Sequence, residues 1–325
     1  MTKIGVLFGM ENTFPWALID RINAMAVGDV RAEAVKLDAV KMAEPTGYRL
    51  IVDRISQDVS FYRAALKNAV LSGTIVINNP FWWTADDKFF NYALAAKMGI
   101  AIPKTVVLPQ YRNPPGTTET SFRNLNYPLN WDDVFRYIGF PAFLKPYSGG
   151  GWKSVYKVTT PEEFFDAYHD TEDLCMTLQE GIEFNDYFRC YVINRQQVRI
   201  MRYDPRLPHH ERYVQNPQPI DPAMYARVES DCLTICRALG YDLNTVEFAV
   251  RDGIPYAIDF LNPAPDADYH SVGAENFEWV VQAVAQMCVD RALSNEQPAT
   301  EYHWSSFLNP SSSEGIKAAC APASL

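Results

Sequence analysis

The chain has 325 residues, 48% hydrophobic and 21% charged, with a formal net charge of −10. That length has room for two or three structural units around sizeable cores. The acidic balance argues against a protein that wraps nucleic-acid backbone or sits on an anionic membrane, and no apolar run reaches the length of a membrane span. It leaves a nucleotide open as a partner, since local cations and a metal suffice to hold one. The six cysteines, at 175, 190, 232, 236, 288 and 320, show neither CxxC nor zinc spacing. Cytoplasmic localisation is the expectation. The opening MTKIGVLFGM reads as a first strand and not as a signal peptide.

Ile4 to Phe8 is a short apolar strand, and Phe14 to Met25 has helical spacing. Strands are expected at Ala34 to Leu37, Tyr48 to Ile55 and Thr74 to Ile77, with a helix over Val59 to Leu71. This alternation predicts a mostly parallel α/β sheet, which binds ligands at the carboxyl ends of its strands. Arg54 and the run Asn78 to Trp83 lie near such ends and are candidates for lining a substrate site. Thr84 to Asp87 (TADD) reads as a capping box for a helix ending at Gly99. Lys88 falls in its first turn, where a cation opposes the helix dipole and a nearby phosphate would account for it. A strand from Ile102 to Leu108 leads out of this unit, and residues 109–130 form an aperiodic linker.

After a short helix from Trp131 to Tyr137, the stretch from Gly139 to Val158 (GFPAFLKPYSGGGWKSVYKV) dominates the reading. Ala142 to Lys145 is a buried strand delivering one cation. Ser148, Gly149, Gly150 and Gly151 follow, then Lys153 and a return strand from Val155. Adjacent glycines cost backbone entropy, and bare N–H groups can cradle an anion. A lid over a triphosphate requires this combination, although an ordinary hairpin turn fits the same residues. It is not a Walker loop, because no Gly-Lys-Ser/Thr closes it. Thr160 to Glu163 (TPEE) starts a helix. A strand from Cys175 runs into Gln179, Glu180, Gly181 and Ile182. Tyr187 to Ile193 and Val198 to Tyr203 form a hairpin, and Asp204 to Pro219 a long loop. Asp221 caps a helix ending at Gly240, on which Cys232 and Cys236 share one face as packing residues.

Two further strands, Thr245 to Val250 and Pro255 to Leu261, each carry one acid among apolar neighbours: Glu247 and Asp259. Acids rarely occupy such positions without a partner. A two-residue turn at Asp252 and Gly253 puts them on opposite faces; a three-residue turn with Gly253 in a bulge puts them on one. The three-residue turn is the expectation. With Asn262 beyond, the acids then form an all-oxygen site suited to Mg²⁺ carrying phosphates.

From about residue 80 to 270 the chain resembles the ATP-grasp superfamily, in particular its glutathione synthetase and ribosomal-protein glutamate ligase branch. The unit before it is similar to that family's pre-ATP-grasp domain. The resemblance implies a mixed α/β and α+β architecture: an N-terminal pre-ATP-grasp α/β domain over 1–108, a linker over 109–130, a grasp lobe with the glycine-rich lid over 131–180, a C-terminal lobe with the metal hairpin over 181–293, and a tail over 294–325. It implies ATP between the two lobes, with Lys88, Lys145 and Lys153 near phosphates and Ser148 to Ser154 as the lid loop. By the same resemblance Gln179, Glu180 and Ile182 read adenine, and Glu183 or Asp186 holds ribose. Arg202 and Lys145 are the catalytic charges, and Glu247, Asp259 and Asn262 hold two Mg²⁺ ions. The family's last metal strand carries Glu-x-Asn, whereas here Asp259-Phe-Leu-Asn262 is one residue longer with a shorter acid. That puts Asn262 out of register unless a bulge restores it. The implied reaction is ADP-forming ligation of a carboxylate to an amino acid or peptide-like amine through an acyl-phosphate. A catalytically altered nucleotide-binding protein and a phosphotransferase are the alternatives. A homo-oligomer is compatible with the sequence.

Overall fold

A computed structural model describes residues 1–82, 88–149, 153–208, 211–214, 217–260, 262–299, 301 and 304–308. The chain divides into two compact units, one of residues 1–84, 186–248 and 259–325, the other of residues 85–185 and 249–258.

The first unit opens with β1 (Thr2–Leu7), α1 (Phe14–Met25), β2 (Val30–Ala34), β3 (Leu50–Asp53), α2 (Ser60–Leu71) and β4 (Ile75–Ile77). The strands form a parallel sheet in the order β2-β1-β3-β4. Every residue of β3 and β4 is buried, as expected where helices cover both faces of a parallel sheet. Leu18, Ile19 and Ile22 supply the buried stripe of α1. The second strand lies earlier than the expected Ala34 to Leu37. Val30 and Ala32 turn inward while Arg31 and Glu33 turn out, and this alternation fixes β2 against β1.

The second unit contains α3 (Lys88–Lys97), β5 (Thr105–Leu108), α4 (Trp131–Ile138), β6 (Ala142–Pro146), β7 (Tyr156–Val158), α5 (Pro161–Asp170) and β8 (Met176–Glu180). Its sheet is antiparallel, in the order β5-β8-β6-β7. Leu144, Leu178, Phe164 and Tyr168 form its core with Trp131 and Phe135 of α4 packed against them. The start of α5 is capped as its TPEE sequence predicts. The Thr160 hydroxyl accepts from the Glu163 N–H at 3.2 Å, and the Glu163 carboxylate accepts from the Thr159 N–H at 2.7 Å. The TADD capping box lies outside the described residues, apart from α3 itself.

The chain then returns to the first unit with β9 (Asp186–Ile193), β10 (Gln197–Arg202), α6 (Pro222–Leu239) and most of β11 (Leu243–Arg251); residues 249–258, which end β11 and make up most of β12 (Ile254–Asp259), count with the second unit, and α7 (Tyr269–Val272) and α8 (Ala274–Leu293) with the first. The strand order is β10-β9-β11-β12. Side chains alternate along β9, and the two faces receive different helices. Tyr191 stacks on Trp279 of α8, with centroids 6.3 Å apart, while Cys190 meets Cys232 of α6. Cys232 and Cys236 are fully buried, as their packing role predicts.

The turn between β11 and β12 corrects an expectation. It has two residues, Asp252 and Gly253, not three, and both have positive φ, 52° and 74°. Asp-Gly is a favoured pair for a type I′ hairpin, whose twist matches the flanking strands. The bulge invoked to align the acids is therefore absent from this turn.

Candidate functional site

The lysines of the second unit are placed by its sheet. In the register of β6 and β8, Lys145 faces Thr177 and Phe143 faces Gln179, so Lys145 and Gln179 are diagonal neighbours on one face. Lys145 Nζ donates to Gln179 Oε1 at 2.8 Å and lies 5.1 Å from the centre of the Tyr92 ring. Gln179 Nε2 in turn donates to the Thr105 hydroxyl at 2.9 Å, which fixes its amide orientation. Lys88 is buried at the head of α3. Its backbone N–H donates to the Tyr147 carbonyl at 2.7 Å, and its Nζ to the carbonyl of Gly149. Lys88 and the start of the glycine loop are thus bonded twice. Gly149 has φ 90°, a conformation open chiefly to glycine. Ser148 and Lys153 are exposed; Gly150, Gly151 and Trp152 lie outside the described residues.

The segment expected to read adenine is tightly bonded. Glu180 receives Arg251 Nη1 at 2.8 Å, its N–H donates to the Lys104 carbonyl at 2.9 Å, and the Gly181 N–H donates to the Pro141 carbonyl at 2.8 Å. A Cβ at Gly181 would sit 2.7 Å from that carbonyl oxygen, so only glycine fits. Ile182 is half-buried and Glu183 exposed.

In the first unit the acids are engaged. Glu247 Oε1 lies 3.2 Å from Arg189 Nη1, and Oε2 accepts from the Tyr187 hydroxyl at 2.6 Å. Burial first, then the charge and hydrogen bond of Glu247 and the charge of Asp259, push the Tyr187 phenol well above its usual range. Tyr187 feels the charge of both acids, while the two-residue turn by itself puts Glu247 and Asp259 on opposite faces of the hairpin. Asn262 donates from its backbone to Asn244 Oδ1 at 3.0 Å and from Nδ2 to the Thr245 carbonyl at 3.2 Å. Two carboxylates and one amide oxygen are hard donors that fit Mg²⁺. No group of three or more His, Cys, Asp or Glu able to hold a metal occurs among the described residues, so any site here needs the amide oxygen or the ligand's own oxygens.

Arg202 falls on the other side of the hairpin. It pairs with Phe188, whereas Arg189 pairs with Met201, so the two arginines project to opposite faces. Arg202 Nη1 bonds Asp186, and its Nε donates to the Gln218 carbonyl at 3.1 Å. Arg189 shares its face with Glu247 and lies 5.4 Å from the centre of the Tyr203 ring. Sequence reasoning gave Arg189 no role beside the acids. The alternation Tyr187, Arg189, Tyr191 on a strand was visible, but the strand facing it was not.

Asn78, a candidate for lining a substrate site, proves structural. Its Oδ1 accepts from the N–H groups of Asp242 and Leu243, and its Nδ2 donates to the Leu243 and Pro263 carbonyls. All of its side-chain donors and both acceptor sites are thereby used. Trp82 is likewise packing: a Cβ at Gly240 would come within 2.7 Å of its indole nitrogen. Trp83, His209 and His210 lie outside the described residues.

No protein-family model matches the chain, and no curated protein matches its sequence. The chain has the ATP-grasp fold. Among solved structures, the chain is similar to a D-alanine–D-alanine ligase from Bacillus anthracis complexed with ATP, at 17% identity and TM-score 0.64, over 90% of this chain and 98% of that one. It is similar to a RimK domain ATP-grasp protein from Sphaerobacter thermophilus at 18% identity and TM-score 0.63, over 90% and 100%. The ATP-grasp ligase PsnB complexed with a minimal precursor matches at 14% identity and TM-score 0.63, over 90% and 99%. No described helix is long and apolar enough to cross a membrane.

Proposed function

We propose that this protein is an ATP-dependent carboxylate–amine ligase that forms ADP through an acyl-phosphate. The observations that carry the reading are the bond of Lys145 to Gln179 and that of Lys88 to Gly149 of the glycine loop, within a chain of ATP-grasp fold. A buried lysine bonded to an amide oxygen, and another bonded to a loop carbonyl, can exchange those partners for phosphate oxygens at little cost. Lys88 and Lys145 bind the phosphates, with Lys153 and the 148–154 loop closing over them. Gln179 to Ile182 contacts adenine, and Glu183 or Asp186 the ribose. Glu247, Asp259 and the Asn262 oxygen hold Mg²⁺, which when bound screens phosphate charge. Arg189, beside the acids, supplies the cation that stabilises charge on the transferred group; Arg202, on the opposite face of the hairpin beside Asp186, takes that role only if the reacting group lies on the Asp186 side. Tyr187 keeps Glu247 oriented. The reaction needs positioning and charge neutralisation, and water must be kept from the acyl-phosphate.

The test is calorimetry of ATP with Mg²⁺ for the wild type and Asp259→Ala, with ADP formation followed against a pool of amino acids and short peptides. The expected result is Mg-ATP binding that weakens in Asp259→Ala, and ADP release that rises with some carboxylate–amine pair. ADP release with a carboxylate or hydroxyl compound alone, and no need for an amine, would make the protein a phosphotransferase. Binding that is equal in both proteins, with no turnover, would make it a nucleotide-binding module.

A further inference from the structure

At the carboxyl edge of the N-terminal parallel sheet, Arg54 follows β3 directly and is almost fully buried, 4% exposed. Its Nε and Nη2 form a fork on Glu11, at 3.0 and 2.5 Å, and Nη2 also donates to the Pro265 carbonyl at 2.7 Å. The guanidinium lies 5.0 Å from the centre of the Phe14 ring. Its remaining nitrogen, Nη1, is buried and makes no hydrogen bond. A guanidinium has only donors, so a buried Nη1 needs an acceptor from outside the side chain. Glu11 fills one edge of the fork, and the adjoining edge is half filled by a single carbonyl.

A second observation in the same unit points the same way. Arg189 Nε is also buried without a hydrogen-bond partner. Both guanidiniums act electrostatically on the hydroxyl of Tyr191, which donates to the Asp266 carbonyl. Two buried cations around one tyrosine are thus short of acceptors. An anion supplies what is missing: an oxygen for the Nη1 N–H groups beside the carbonyl already held by Nη2. Open α/β sheets take ligands at this edge.

We propose that Arg54 Nη1 anchors a carboxylate subsite, and that one substrate is an α-amino acid or short peptide held by the carboxylate that ligation leaves free. The assignment of this ligand as a substrate rests on the ligase reading. A carboxylate locked on a buried guanidinium is a poor nucleophile toward phosphorus, so it is the spectator carboxylate of its molecule and not the one activated. Glu11, whose side chain is 32% exposed, is the solvent-facing member of the pair.

The experiment measures binding of individual amino acids and their carboxamides, by thermal shift and calorimetry, with and without a non-hydrolysable ATP analogue. The proteins are the wild type, Arg54→Gln and Arg54→Lys. At least one amino acid is expected to bind the wild type while its carboxamide binds at least tenfold more weakly. Arg54→Gln is expected to abolish that binding. Arg54→Lys, which keeps the charge without the fork, is expected to weaken it about tenfold and serves as the test if Arg54→Gln does not fold. Equal binding of acid and amide, undiminished binding in the variants, or no binding of any amino acid would overturn the subsite. Mg-ATP titrated in parallel reads the ligase proposal separately: its failure to bind sinks that proposal, while the amino-acid panel still decides the subsite.

Discussion

The two units hold their cations differently. In the unit of the glycine loop, Lys145 rests on a carboxamide and an aromatic face and Lys88 on a carbonyl. In the other unit, Arg189 rests on Glu247, Arg202 on Asp186 and Arg54 on Glu11. A lysine bonded to a carboxamide oxygen or a loop carbonyl can exchange that bond for one to an anion. An arginine on a carboxylate is already compensated, and its replacement by any ligand must first account for the acid left behind. Nucleotide affinity is therefore expected to draw most on the lysines, and the rate on the arginine–acid pairs.

The largest expected effect tests the first half of this contrast. Lys145→Met should weaken ATP binding about 100-fold, roughly 2.7 kcal/mol, with or without Mg²⁺. Glu247→Gln should weaken Mg-ATP binding about tenfold and leave metal-free ATP binding unchanged, because the acid acts on ATP only through the cation. Calorimetry at two Mg²⁺ concentrations separates the two. Equal Mg²⁺ dependence in both variants would erase the distinction between the units.

The contrast also explains what could be read in advance. The lysine unit is encoded locally only in part: Lys145 lies on β6 with Gly149 just beyond it, and α4 and α5 start at their caps, whereas Lys145 and Gln179 are 34 residues apart and Lys88 and Gly149 are 61. The arginine–acid unit is encoded across the chain. Arg54 and Glu11 are 43 residues apart, and Tyr187 and Glu247 are 60. Glu247 and Asp259 stood out as acids among apolar neighbours, yet nothing in their own strands names Arg189 as a partner. The hairpin turn was misread because a bulge was required to align two acids, whereas Asp-Gly satisfies the backbone without one. Asn78 was misjudged because its four bonds reach residues 242, 243 and 263, which no local pattern reveals.

A smaller effect sharpens the arginine side. Arg189→Met should lower the ADP-forming rate by about 50-fold and change ATP affinity by less than about threefold, because its charge is compensated until the transferred group develops its own. Arg202→Met, on the opposite face of the hairpin, should cost about fivefold. Single-turnover rates with saturating ATP give both numbers. A larger loss for Arg202→Met would move the reacting group to the Asp186 side of the sheet.

The smallest effect at neutral pH concerns Tyr187 and has a definite sign. Burial, then Glu247, and then Asp259 hold its phenol protonated in the folded chain well above the usual value of 10. Below pH 10 the folded and unfolded chains both keep the proton, and the contribution is constant. Above it the unfolded chain loses the proton and the folded chain does not, so stability falls by about 1.4 kcal/mol per pH unit for this group. Tyr187→Phe should cost about 1–2 kcal/mol at pH 8, through the lost bond to a buried carboxylate. It should then decline less steeply than the wild type between pH 10 and 11.5, so the two curves converge. Urea midpoints across that range measure the slopes. Tyr191, also pushed up by burial and then by Asp266, keeps the variant from becoming flat, so the expected change is the loss of one proton's slope. Parallel curves would mean that Tyr187 reaches solvent and does not hold Glu247.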